Sequence, residues 1–164
     1  MTHVFFAPPP VQADCRAAFT GFRYIEPAMP DAAPHSLRLS LLAGRFAVCR
    51  LGPDAAVPAW ALTDAFFSVT RTAEELSLVV DEDAVPASVS CEFGFRALKL
   101  EGPFPFSLTG VLASVLDPLA AAQISIFAIS TFDTDYVLVR QEALAAALAA
   151  LRAAHHKVPD LPCP

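Results

Sequence analysis

The last strong element this chain can form is a helix, and the residues beyond it cannot supply another strand. Glu142 to Ala154 is rich in alanine, carries Leu144, Leu148 and Leu151, starts acidic and has Arg152 near its end, as suits a helix and its dipole. Only ten residues remain after Ala154, three of them proline, which fixes φ and offers no N–H to a ladder. Ahead of that helix, Phe95 to Leu100 reads as a strand ended by Gly102-Pro103. Leu108 to Gln123 then reads as a helix, with Ser107 or Thr109 as candidate caps. Its residues Leu108, Val111, Leu112, Val115, Leu116 and Leu119 recur at three and four, the stripe of a helix on a sheet, and Pro118 should kink it. Ile124 to Phe132 is a continuously apolar strand, Asp133-Thr134 a turn, and Tyr136 to Arg140 another strand. The order is β-α-β-β-α, one strand short of a split βαβ, ferredoxin-like unit. The missing strand has to be borrowed, and Leu37 to Leu42 is the donor expected.

The first half repeats the pattern less clearly. Leu37 to Leu41 alternates apolar and polar, Ala43-Gly44 supplies a turn, and Phe46 to Leu51 comes next, so a hairpin is expected. Pro58 can open a short helix from Trp60 to Ala65. Phe67 to Thr70 and Leu76 to Val80 read as a strand pair, and a short helix is expected near Glu82 to Ser88. Before all this, Pro8-Pro9-Pro10, Pro27, Pro30 and Pro34 predict an irregular arm. The fold class expected is α+β: two interlocked ferredoxin-like units with antiparallel sheets and helices on one face. The arm covers 1–36, the units 37–93 and 94–156, and the tail 157–164, with no clean cut at Glu92.

Composition narrows the function. Hydrophobic residues make up 55% and charged residues 17%, so the chain can bury a core. The net charge of -6 and the lack of a basic stripe argue against nucleic acid as a partner. A mean hydropathy of +0.49 raises the question of a membrane. The most apolar stretch, Val111 to Thr131, is interrupted by Asp117, Pro118 and Gln123, where a span needs about 20 apolar residues. Neither a membrane span nor a secretory signal is expected, and a cytoplasmic location is.

Candidate chemistry is sparse. Cys15, Cys49, Cys91 and Cys163 are far apart with no C-x-x-C, so they read as core residues or idle thiols rather than bridges or metal ligands. His155 and His156 are adjacent, hence about 100° apart on a helix, and unable to share a metal as an i, i+4 pair does. No nucleophile elbow, P-loop or zinc-helix motif occurs. Glu101 and Asp135 could approach at a strand end as an acid–base pair. The reading is a non-enzyme without cofactor or metal, an unrecognised enzyme being the outside alternative.

Three runs carry a resemblance: Phe106-Ser107-Leu108-Thr109-Gly110-Val111-Leu112, Asp117-Pro118-Leu119-Ala120, and Ile129-Ser130-Thr131-Phe132-Asp133-Thr134-Asp135-Tyr136. Together they resemble the ACT domain, in the branch of the CASTOR arginine sensors and short bacterial tandem-ACT proteins. Phe46 to Leu51 and Phe66 to Thr72 are similar to the first unit of those short proteins. The resemblance implies an amino-acid-binding regulatory protein, a homodimer with a ligand at an ACT–ACT interface and a regulated protein partner. It implies Thr131, Phe132 and Asp135 for the ligand side chain. For the amino-acid end it implies main-chain groups of Gly110, Val111 and Leu112 in the segment with Leu108 and Thr109. Helix-start N–H groups do attract a carboxylate, and a carboxylate such as Asp135 holds an ammonium or guanidinium. The arginine sensors carry an acidic residue where this chain has Leu108, so a less cationic amino acid fits as well as arginine. An interaction module with a decayed ligand site is the alternative. Asp133 and Asp135 also read as plain turn formers, since aspartate bonds its own backbone two residues on.

Overall fold

A computed structural model describes residues 36–62 and 65–160. The arm expected over 1–36 lies, apart from Ser36, outside them, as do Cys15 and Cys163. The strands are β1 (Leu39–Leu41), β2 (Phe46–Leu51), β3 (Ser68–Arg71), β4 (Leu76–Asp81), β5 (Cys91–Leu100), β6 (Ile126–Ser130) and β7 (Asp135–Arg140). The helices are α1 (Val111–Ala121) and α2 (Leu144–Ala153). All seven strands form one sheet in the order β3-β4-β2-β5-β7-β6, with β1 paired to β5.

The ten-residue strand β5 is what both halves share. Its C-terminal part takes β1 on one edge, Leu39 opposite Leu100 and Leu41 opposite Leu98, and β7 on the other, Leu98 opposite Val137. With β6 beyond β7, this is the four-strand order of a ferredoxin-like unit, completed by the expected donor. Its N-terminal part lies beside β2, with Phe46 opposite Phe95 and Cys49 opposite Cys91. It thereby completes β2, β3 and β4 in the same order. The expected hairpin of the first two strands does not form: β1 and β2 lie end to end along the same edge of β5. The Ala43-Gly44 turn, with Gly44 at φ +81, steps the chain along that edge instead of reversing it.

A register shift lies in β5 between the partners of Phe46 and Val48, where Gly94 takes φ +80. Only glycine takes that conformation cheaply, and the extra residue is a bulge. It turns Cys91 to the face that carries Cys49, and the two form a disulfide. This corrects the expectation of idle thiols: the pair is 42 residues apart in sequence, and only the bulged register brings it together.

One sheet face carries two apolar clusters. On the second half, Leu39, Leu98, Leu100, Val137 and Val139 pack against Val111, Val115 and Leu119 of α1 and Leu144, Leu148 and Leu151 of α2. On the first half, Ala47, Cys49, Leu76, Leu78 and Val80 pack against Ala61, with Trp60, Val85 and Val89 around them. The helices expected there are only 3-10 turns, Ala59–Leu62 and Glu82–Ala84. Pro58 opens the first, and Pro86 stops the second after about one turn. The opposite face holds Phe46, Val79, Phe95, Ala97 and Leu138.

Helix α1 contains Pro118, whose missing N–H leaves the carbonyl of Ser114 without its helical donor. Buried His156, just past α2, fills the gap: its Nε2 lies 2.9 Å from Ser114 O, while its Nδ1 accepts from Leu37 N–H at 3.2 Å. A neutral ring with its proton on Nε2 meets both demands.

Candidate functional site

Two segments meet at the end of β5. The Phe104 N–H donates to Asp133 O at 2.9 Å, and Thr134, buried, donates its hydroxyl to Leu100 O. A Cβ at Gly102 would stand 2.6 Å from Asp133 O, so glycine is what lets the 102–108 loop close on the 131–134 turn. That turn is held by threonines rather than by the aspartates expected to form it. Thr131 N–H and Oγ1 both donate to Thr134 O, each at 2.8 Å. Asp135 reaches across the strand pair instead, accepting from Ser130 Oγ at 2.5 Å through Oδ1.

Between the segments lies a cavity of about 220 Å³. Leu108, Val111, Thr131, Phe132 and Asp135 line it. Thr109, Gly110 and Leu112 are not among its lining residues; Gly110, at φ +82, is the N-cap of α1, and Leu112 packs partly into the core. The expected caps Ser107 and Thr109 do not serve, and no side chain caps this helix. Its first N–H groups therefore stay available to an acceptor. Sequence reasoning passed over Phe106, which is 78% exposed and meets Phe132, 79% exposed, edge to face at 5.2 Å between ring centres. The cue was there: Phe106 sits after two prolines in a loop, a place where a large aromatic has no core to enter. The Glu101–Asp135 acid–base pair is not formed. Glu101 accepts from Ser40 Oγ at 2.5 Å, and each carboxylate has its own serine.

A family model for the ACT domain matches residues 90–153, and a second, for an N-terminal domain, matches residues 44–88. The Agrobacterium tumefaciens protein Atu0741, known from a crystal structure, is 38% identical with a TM-score of 0.73, over 77% of this chain and 95% of that one. Human CASTOR3P is 33% identical over 87 residues, 45% of this chain and 53% of that protein. The cytosolic arginine sensor for mTORC1 subunit 1 of Bos taurus is 32% identical over 90 residues, 48% of this chain and 27% of that protein. This chain carries an ACT domain and is CASTOR-like. It spans 53% of CASTOR3P and 27% of the bovine sensor that it matches. The ACT match begins one residue before β5 and closes with α2, so the whole 102–135 cavity lies inside it. Among the described residues, no helix of this ACT protein is long and apolar enough to cross a membrane.

Proposed function

We propose that this protein is a non-catalytic, cytoplasmic regulatory domain that binds a free amino acid in the cavity between the 104–111 and 130–135 segments. The observation that carries the reading is the gathering of Leu108, Val111, Thr131, Phe132 and Asp135 on one cavity beside an uncapped helix start. The α1 N–H groups suit the ligand carboxylate. The second oxygen of Asp135 suits a cationic or hydrogen-bonding side chain, and Leu108 and Phe132 supply apolar contact. At about 220 Å³ the cavity is smaller than the usual ligand site of roughly 300 Å³ or more. A second copy of the chain would complete it, covering the exposed Phe106–Phe132 pair, in a homodimer with sites between units 37–93 and 94–156 of the two copies. A regulated protein partner would read the bound state. The arginine recognition in the bovine relative's name supports the ligand class, and Leu108 favours no particular member of it.

Calorimetry against the free amino acids tests this, and ligand at 100 times its Kd should also raise stability by about 2.7 kcal/mol. Asp135→Asn should leave the fold intact and weaken a cationic ligand about ten- to a hundredfold, a neutral one far less. If no amino acid binds the wild type at millimolar concentration, the sensor reading fails and an interaction module built on the exposed phenylalanine pair replaces it. A solution mass near the 17.4 kDa of one chain would remove the dimer.

A further inference from the structure

The sheet face opposite the helices holds a larger cavity, about 420 Å³, that shares no lining residue with the one between the loops. Its wall is aromatic. Phe66 meets Phe46 edge to face at 5.3 Å and Tyr136 at 4.7 Å between ring centres. One cationic and one anionic residue, Lys99 and Asp81, line it as well. Lys99 stands on β5 directly opposite Tyr136 of β7, and Asp81 of β4 directly opposite Phe46 of β2. The register thus sets one ammonium and one carboxylate around a shared apolar floor.

Among the described residues, Lys99 has no ion-pair partner, and Asp81 has one carboxylate oxygen engaged by its own turn. The Asp81 carboxylate is held in place: Oδ1 accepts from Asp83 N–H at 2.9 Å, and Oδ2 lies where a Cβ on Gly44 would meet it at 2.9 Å. An ammonium and a carboxylate on one cavity with three rings are complementary to a zwitterion with an apolar side chain. The volume falls within the range of small-molecule sites.

We propose that this cavity is a second ligand site, and that it takes an α-amino acid with an aromatic or large aliphatic side chain. The ligand carboxylate meets Lys99, its ammonium meets Asp81, and its side chain lies on Phe46, Phe66 and Tyr136. The assignment does not rest on the ligand reading of the loop cavity.

Calorimetry on the full chain with L-phenylalanine tests it, with 3-phenylpropionate as the analogue lacking the ammonium. The wild type should bind, and 3-phenylpropionate should bind at least about tenfold more weakly. Lys99→Met should weaken L-phenylalanine about tenfold or more, one charge-assisted hydrogen bond's worth. Ala65→Trp, at an exposed residue on the cavity rim, should block binding and keeps the test valid if the lysine variant is unstable. The proposal is overturned if the wild type does not bind at millimolar concentration. It is equally overturned if Ala65→Trp binds as the wild type does, which would put the ligand in another cavity.

Discussion

The two halves of the sheet share a strand order and differ in what covers them. Over β1, β5 and β7 the cover is two packed helices, which supply Val111, Val115 and Leu119 from one side and Leu144, Leu148 and Leu151 from the other. Over β2 and β4 it is irregular chain anchored by Ala61 and Trp60, above a sheet whose β2 and β5 are joined by the Cys49–Cys91 disulfide. The difference lies in the connections. Between β2 and β3 the chain carries Gly52, Pro53 and Pro58, which leave room for one short turn. Between β5 and β6 the helix itself contains a proline, Pro118, yet it continues, and His156 takes over the orphaned Ser114 carbonyl. A strand order, then, does not dictate its covering layer: one half carries irregular chain over disulfide-linked strands, the other helices and an imidazole.

The largest expected effect comes from truncating the helical cover. Leu148→Ala removes a side chain that is 1% exposed and should cost roughly 2–5 kcal/mol. Because β5 serves both halves, that loss should unfold them together. Trp60 is the chain's one tryptophan and reports on the first half, while far-ultraviolet dichroism at 222 nm reports mainly on the two helices. Denaturant curves from the two probes should coincide in wild type and variant alike. Separate transitions would mean that the halves are independent despite the shared strand. Next comes the staple. Reducing the disulfide, or Cys49→Ala with Cys91→Ala, frees a loop with a sequence separation of 42 residues and should cost about 2–4 kcal/mol. An unchanged midpoint under reducing conditions would show that the irregular cover alone holds the first half.

The second half was legible in the sequence because its signals are periodic. The α1 stripe, the isoleucine strand and the alanine-rich helix each repeat over several turns or pairs, and the count of strands pointed to a borrowed β1. What stayed hidden depends on contacts distant in sequence. The β1–β2 hairpin was a fair expectation from two apolar runs around Ala43-Gly44, but β5 competes for both strands and wins by offering one long edge. The disulfide required knowing that Gly94 bulges. At the loop cavity, the resemblance pointed to the segments that meet there, while the side chains that hold them, Thr134 on Leu100 and Gly102 under Asp133, carry no periodic mark. Nor does the aromatic cavity on the far face, since Lys99, Tyr136, Phe46 and Asp81 come from four strands and converge only in register.

The smallest expected effect isolates the imidazole. His156 lies where β1 leaves the loop and α1 carries its proline, so it joins three elements through two hydrogen bonds. His156→Phe keeps most of the ring's volume but leaves Leu37 N–H and Ser114 O without their partners. The expected cost is about 1–3 kcal/mol, the penalty of unmet buried polar groups, measured by denaturant midpoint. A second substitution tells this role from mere packing. Pro118→Ala restores an N–H that can donate to Ser114 O within the helix, so on that background one of the two orphaned groups is already satisfied. The cost of His156→Phe should then fall, and the double-mutant cycle should show a coupling of about 0.5 kcal/mol or more. Additive effects would mean that the ring holds the second half by its shape alone. The contrast with the disulfide-stapled half would then rest on helix packing and not on the imidazole.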